Sequence, residues 1–153
     1  MKGYKPPDNV DRNLIREARK EWQESDELHE YVPDEEIPEG AITVSSSLNG
    51  NDVFEHGYET WSDMFNQRQL LSLAKLLQAI DDIGDQNVKE YLLLTFSETL
   101  NYNTMMTGYN PSYNKAQPIF KSNSFDPHNT PLENNPWGTK YGTGTFEAMW
   151  DMM

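Results

Sequence analysis

The sequence predicts a mainly α fold: a helical hairpin, an amphipathic N-terminal helix ahead of it, and long irregular loops. Three observations carry this. Two apolar stretches of helical period lie back to back across a short Gly84-Asp85 turn, a third stretch follows Pro6-Pro7, and no clear period survives from Gly108 until Phe146. The 153 residues suffice for one domain, but with 36% hydrophobic residues and a mean hydropathy of −0.82 the core is expected to be modest.

Taken in order, Asp8 or Asn9 caps a helix expected to run to about Leu28. Val10, Leu14, Ala18 and Trp22 stand four apart with Ile15 alongside, which makes one narrow apolar stripe. Arg12, Arg16 and Lys20 are also four apart and place a basic ridge on another face, either a solvated charged surface or a phosphate-contacting one. Pro33 and Pro38 bracket an acidic segment, Val32 to Gly40. Each disfavours helix in the residue before it, so an extended linker is expected through Ser45-Ser46-Ser47 and Asn49-Gly50. The expected divisions are therefore 1–31, the N-terminal helix; 32–56, the linker; and 57–153, the hairpin with its aromatic-anchored loops.

After a short turn over Ser62 to Phe65, Asn66 followed by Gln69 forms a capping-box pattern for a helix from Gln67 to Ile83, with Gly84 placed to end it. Leu70, Leu73, Ala74, Leu77 and Ile80 form its main stripe. Leu71, Leu76 and Ile83 widen that stripe, so the helix should be covered on two sides. The next helix begins near Asp85 and continues to Tyr102 or Met106, with Val88, Tyr91, Leu92, Thr95, Phe96 and Thr99 on one face. Residues 108–144 are expected to be ordered loop anchored by Tyr109, Phe120, Phe125 and Trp137. A last short helix starts near Thr145, and its apolar Ala148-Met149-Trp150 ending suggests a boundary inside a larger domain.

Composition narrows the chemistry. There is no cysteine, which excludes disulfides, thiolate zinc sites and a cysteine nucleophile within the chain. His29, His56 and His128 stand in no ligand spacing, and no metal is expected. No apolar run approaches the roughly 20 residues that span a bilayer, so a soluble cytoplasmic protein without a membrane partner is expected. The net charge of −13 is uneven: residues 1–20 hold six basic groups against three acids, and residues 21–40 hold nine acids with no lysine or arginine. Such a surface suits a salt-adapted protein or one that docks on a basic partner.

No acid pair sits in an apolar setting that would tune it for acid-base work. Asn134-Asn135-Pro136-Trp137 is similar to the Asn-Pro-Pro-aromatic loop of amino-methyltransferases but lacks the second proline, and is read as an aromatic-anchored turn. Gly142-Thr143-Gly144 follows no buried strand, and is read as a tight turn before the last helix. Arg68 and Gln69, in the first turn of a helix, suit a phosphate or a base edge. Capping and a structural carboxylate pair explain them equally.

Three sets of strings, in order, carry a resemblance: Val32-Pro-Asp-Glu-Glu-Ile-Pro-Glu-Gly40; Gly57-Tyr-Glu-Thr-Trp-Ser-Asp-Met-Phe-Asn-Gln-Arg-Gln-Leu-Leu71; and Glu133-Asn-Asn-Pro-Trp-Gly138 with Gly142-Thr-Gly-Thr-Phe146. Over roughly residues 8 to 150 the chain resembles one region of the large adenine-specific DNA methylases of bacteria and archaea. These are S-adenosylmethionine-dependent amino-methyltransferases, some with a zinc ribbon. In that family the cofactor loop, of Asp-Pro-Phe-x-Gly-x-Gly type, and the catalytic Asp-Pro-Pro-Tyr loop lie outside the matched region, and this chain contains neither. No catalytic or cofactor-binding residue is therefore carried over. The resemblance implies a mostly helical insertion between the halves of a Rossmann-like core, inactive alone, in a gene fragment or split piece. S-adenosylmethionine would be held by the complete enzyme, with the remaining methyltransferase segments in cis or trans. DNA contacts would come from Arg12, Arg16, Lys20, Arg68 and Gln69. The other reading is a stand-alone acidic module that docks its helical hairpin on a basic protein.

Overall fold

A computed structural model describes residues 5–40, 54, 57–121, 124–125, 132–138 and 142–152. The architecture is mainly α, with five α-helices and two small antiparallel hairpins among the described residues. Helix α1 spans Asn9–Glu24, α2 Asp26–His29, α3 Gln67–Asp81, α4 Gln86–Leu100 and α5 Phe146–Trp150; a 3₁₀ turn at Trp61–Met64 leads into α3.

Helix α1 starts where a side chain can satisfy its open amides: Asp8 accepts from Val10 and Asp11, and the Asp11 carboxylate returns a bond to the Asp8 amide at 2.9 Å. It stops at Glu24, short of the expected Leu28. Ser25 turns its hydroxyl onto the Glu21 carbonyl at 2.7 Å while its own amide reaches Trp22 O at 3.4 Å, so the i to i−4 ladder is broken and α2 restarts separately. The apolar stripe is covered over only half its length. Trp22 is buried with Leu28, Leu71 and Ala74, and Ala18 packs against them, whereas Val10 and Leu14 stay 64% and 57% exposed.

Helix α3 is the centre of the structure, packed by α1 and α2 and also by α4. Its buried apolar residues, Leu71, Leu73, Ala74, Leu76 and Ile80, combine both apolar stripes, as expected of a helix covered on two sides. The Asn66–Gln69 capping box is formed in both directions. Gly84 does not end the helix: Asp82 is its right-handed C-cap, and the left-handed glycines are Gly57, Gly138 and Gly144. Helix α4 is capped by Asp85, and its two buried residues are threonines, Thr95 and Thr99, whose hydroxyls return to carbonyls four residues back.

The acidic segment is more than a linker. Glu36 pairs with Thr60, the Ile37 amide donates to Glu59 O at 2.8 Å, and Ile37 is buried with Met64 and Met106. Residues 41–53 of the expected linker, with Ser45-Ser46-Ser47 and Asn49-Gly50, lie outside the described residues, as do 55 and 56.

The expected loop over 108–144 also contains strands. β1 (Gly108–Asn110) pairs with β2 (Lys115–Gln117), and β3 (Phe120–Lys121) with β4 (Ser124–Phe125). The first hairpin closes because Asn110 Oδ1 accepts the Ser112 and Tyr113 amides while Asn114 takes the left-handed conformation, φ 48°.

Gly144 shows how the C-terminal segment is seated. Its φ is +76°, and a Cβ there would stand 2.2 Å from Cβ of Tyr102. The close approach lets the buried Asn103 amide bond both Thr99 O, at 2.7 Å, and Gly144 O, at 2.6 Å, tying the end of α4 to the turn before α5. Gly144→Ala should therefore destabilise the protein by about 2–3 kcal/mol through combined strain and overpacking. Urea unfolding measures this, and an unchanged midpoint would contradict it.

Candidate nucleic-acid interface

The first turn of α3 is where distant parts of the chain meet. Asn66 Oδ1 accepts the amides of Arg68 and Gln69 at 3.0 Å each, and Gln69 Oε1 accepts the Asn66 amide at 2.9 Å. The Asn66 side-chain amide then donates to Glu133 at 3.0 Å, and Arg68 forks onto the same carboxylate, Nε to Oε1 and Nη2 to Oε2, both at 2.5 Å. The hydrogen bonds to Glu133 hold the Arg68 guanidinium above its ordinary pKa.

Further contacts lay the segment after Glu133 along α3. The Trp137 indole N–H donates to Ser72 O at 3.0 Å, and Asn135 Oδ1 accepts the Trp137 amide at 3.1 Å. Asn134-Asn135-Pro136-Trp137 is thus a turn fixed by its aromatic residue. The Phe146 amide donates to Pro136 O at 2.8 Å, which brings the start of α5 to the same place.

Beside this junction a groove of about 550 Å³ runs between α1 and α3, lined by Ile15, Arg19, Gln23, Phe65, Gln67 and Arg68, with Asn66 and Glu133 completing it. Two arginines from different helices and one aromatic ring share it, a composition suited to a phosphate backbone with a neighbouring base.

The residues expected to touch DNA are distributed differently from one another. Arg12, Arg16 and Lys20 stay exposed on α1 and make local contacts only: Arg12 to Asn9 at 3.4 Å, Arg16 to Asn13 at 2.6 Å and Lys20 to Glu24 at 3.8 Å. They form an outer ridge and are not among the groove's lining residues. Arg68 is at the groove but spends its fork on Glu133. Gln69 is 1% exposed and its carbonyl serves the cap, so it presents nothing to a ligand at the surface; its Nε2 has no partner among the described residues.

Two residues without an assigned role prove central. Arg19 lies four after Ile15 and three before Trp22, a spacing that puts it at the border of the packed face and so into the groove. Glu133 stands 65 positions from Arg68, and no local pattern announces that pairing.

The cofactor that the resemblance implies does not fit the residues described. A dinucleotide-type or methyl-donor loop needs a strand, a glycine turn open to the ligand and a long helix. Here Gly144 is covered by Tyr102 and opens a helix of five residues. Among the described residues no three His, Asp or Glu side chains are grouped to hold a metal ion, and no helix is long and apolar enough to cross a membrane. No protein-family model, curated protein or solved structure matches the chain.

The Arg68–Glu133 pair should couple the two segments measurably. The Arg68 and Glu133 side chains are 42% and 30% exposed, and solvent screening limits the interaction to about 1 kcal/mol in a double-mutant cycle of Arg68→Ala and Glu133→Ala followed by urea unfolding. Additive single effects would show that the pair is incidental.

Proposed function

We propose that this chain is a non-catalytic helical segment of a cytoplasmic DNA adenine methyltransferase, inserted in a Rossmann-like core and lining the DNA cleft with the α1–α3 side. What supports the reading is convergence: the strings that carry the family resemblance, far apart in sequence, meet at the start of α3. Val32–Gly40 pairs with Gly57–Leu71 through Glu36 and Thr60, Glu133 clasps Asn66 and Arg68, and Phe146 bonds Pro136. Segments that resemble one region of an enzyme form one contiguous structural unit.

In this reading the ridge of Arg12, Arg16 and Lys20 meets phosphates from outside and Arg19 meets them from the groove. Arg68 and Gln69 position the helix start, and the free edge of the Arg68 guanidinium adds charge. S-adenosylmethionine and the chemical step belong to the segments with the cofactor and catalytic loops. A second reading, a module that binds a basic protein, is favoured by the exposed apolar side of α4.

Incubation with tritiated S-adenosylmethionine and unmethylated DNA should give no incorporation by the chain alone, and incorporation when the loop-bearing segments are supplied. In that assembly, replacing Arg12, Arg16 and Lys20 with alanine should weaken DNA binding and flatten its dependence on log salt by about three contacts' worth, roughly 0.9 per phosphate. Methyl transfer by the chain alone, or binding indifferent to salt, would overturn the proposal.

A further inference from the structure

Helix α4 carries apolar groups that the fold leaves partly exposed. Val88, Tyr91 and Leu94 recur every three residues along it and are 43%, 41% and 60% exposed. On α5, Trp150 stands edge-on to Tyr91 with ring centroids 5.5 Å apart, and it too is partly exposed. These residues form one continuous strip. Soluble surfaces seldom leave aromatic and aliphatic groups grouped in this way unless they meet something.

The charges around the strip select the occupant. Glu90 and Glu98 lie four residues either side of Leu94, on its own row of the helix, and Glu147 and Asp151 flank Trp150 on α5; all four are exposed. Lys89, the basic residue of α4, is drawn to the end of α3, where it donates to Asp81 O at 2.5 Å and Oδ1 at 3.0 Å. Every other charge of these two helices is negative. A nucleic acid would meet repulsion here, and so would a second copy, which brings the same carboxylates to a shared face.

We propose that the α4–α5 strip is a docking site for a basic amphipathic helix of a protein partner, which lays an apolar ridge along Val88, Tyr91, Leu94 and Trp150 and sets lysines or arginines against Glu90, Glu98, Glu147 and Asp151. Helix α4, with 15 residues, offers about 22 Å of length at the usual rise, enough for four turns of a partner helix. The site is independent of the methyltransferase reading, which rests on the α1–α3 groove and the α1 ridge and shares no residue with the strip.

The test uses the full chain and a fluorescein-labelled 14-residue leucine–lysine peptide with an amphipathic helical pattern, followed by anisotropy. Binding should weaken about tenfold or more in Leu94→Ser, which leaves the charge unchanged, and in the double variant Glu90→Lys, Glu98→Lys. It should persist within about twofold in Asp26→Lys, Glu27→Lys on α2, which alters net charge equally. The Glu90→Lys, Glu98→Lys protein should instead bind a leucine–glutamate peptide. All the substituted groups are exposed except for their local contacts, and circular dichroism checks that the helices remain. Equal weakening by both charge reversals would mean unspecific attraction to an acidic protein. Sedimentation showing a dimer dispersed by Leu94→Ser would make the occupant a second copy. Either result overturns the proposal.

Discussion

The amides at the start of α3 cannot be left without partners, and the way they are satisfied organises the rest of the chain. Asn66 and Gln69 close the cap, which leaves the Asn66 side-chain amide free to reach Glu133, and Arg68 aims its fork at the same carboxylate. One carboxylate thus reads both the cap and the following residue. From that anchor the chain runs along α3, fixed again at Ser72 by the Trp137 indole, and enters α5. A half-buried helix start becomes a junction for segments that are otherwise short and irregular.

The central position of α3 also separates two kinds of surface. On one side α1 carries the ridge of Arg12, Arg16 and Lys20, and Arg19 turns into the groove beside Arg68. On the other side α4 and α5 present aromatic and aliphatic groups among carboxylates. The basic and acidic faces are suited to different partners. Since salt screens exposed charge over about 8–10 Å, each can act without cancelling the other across the thickness of a helix.

Much of the helical architecture was legible because it is written in local chemistry. Asp8, Asn66, Asp85 and Thr145 cap helices where the sequence places capping residues, and the double stripe of α3 foretells cover on two sides. The paired segments were not legible. Strands of two or three residues give no period to detect, and the burial of Ile37 depends on Met64 and Met106, not on its own acidic neighbours. The break at Ser25 turns on a single hydroxyl. At the candidate site, the basic ridge was visible as spacing and the Gln69 cap as the Asn66–Gln69 pattern, but which carboxylate Arg68 would pair with was not. The partnership with Glu133 is long-range.

Glu133 seats the C-terminal segment on the capped start of α3. Hydrogen exchange in Glu133→Ala tests it most directly. The amides of Phe146 and Glu147, which donate to Pro136 and Trp137, and the Trp137 indole N–H should lose protection by a larger factor than the amides of Thr95 and Thr99 in α4. Equal change at all these positions, or none, would contradict it.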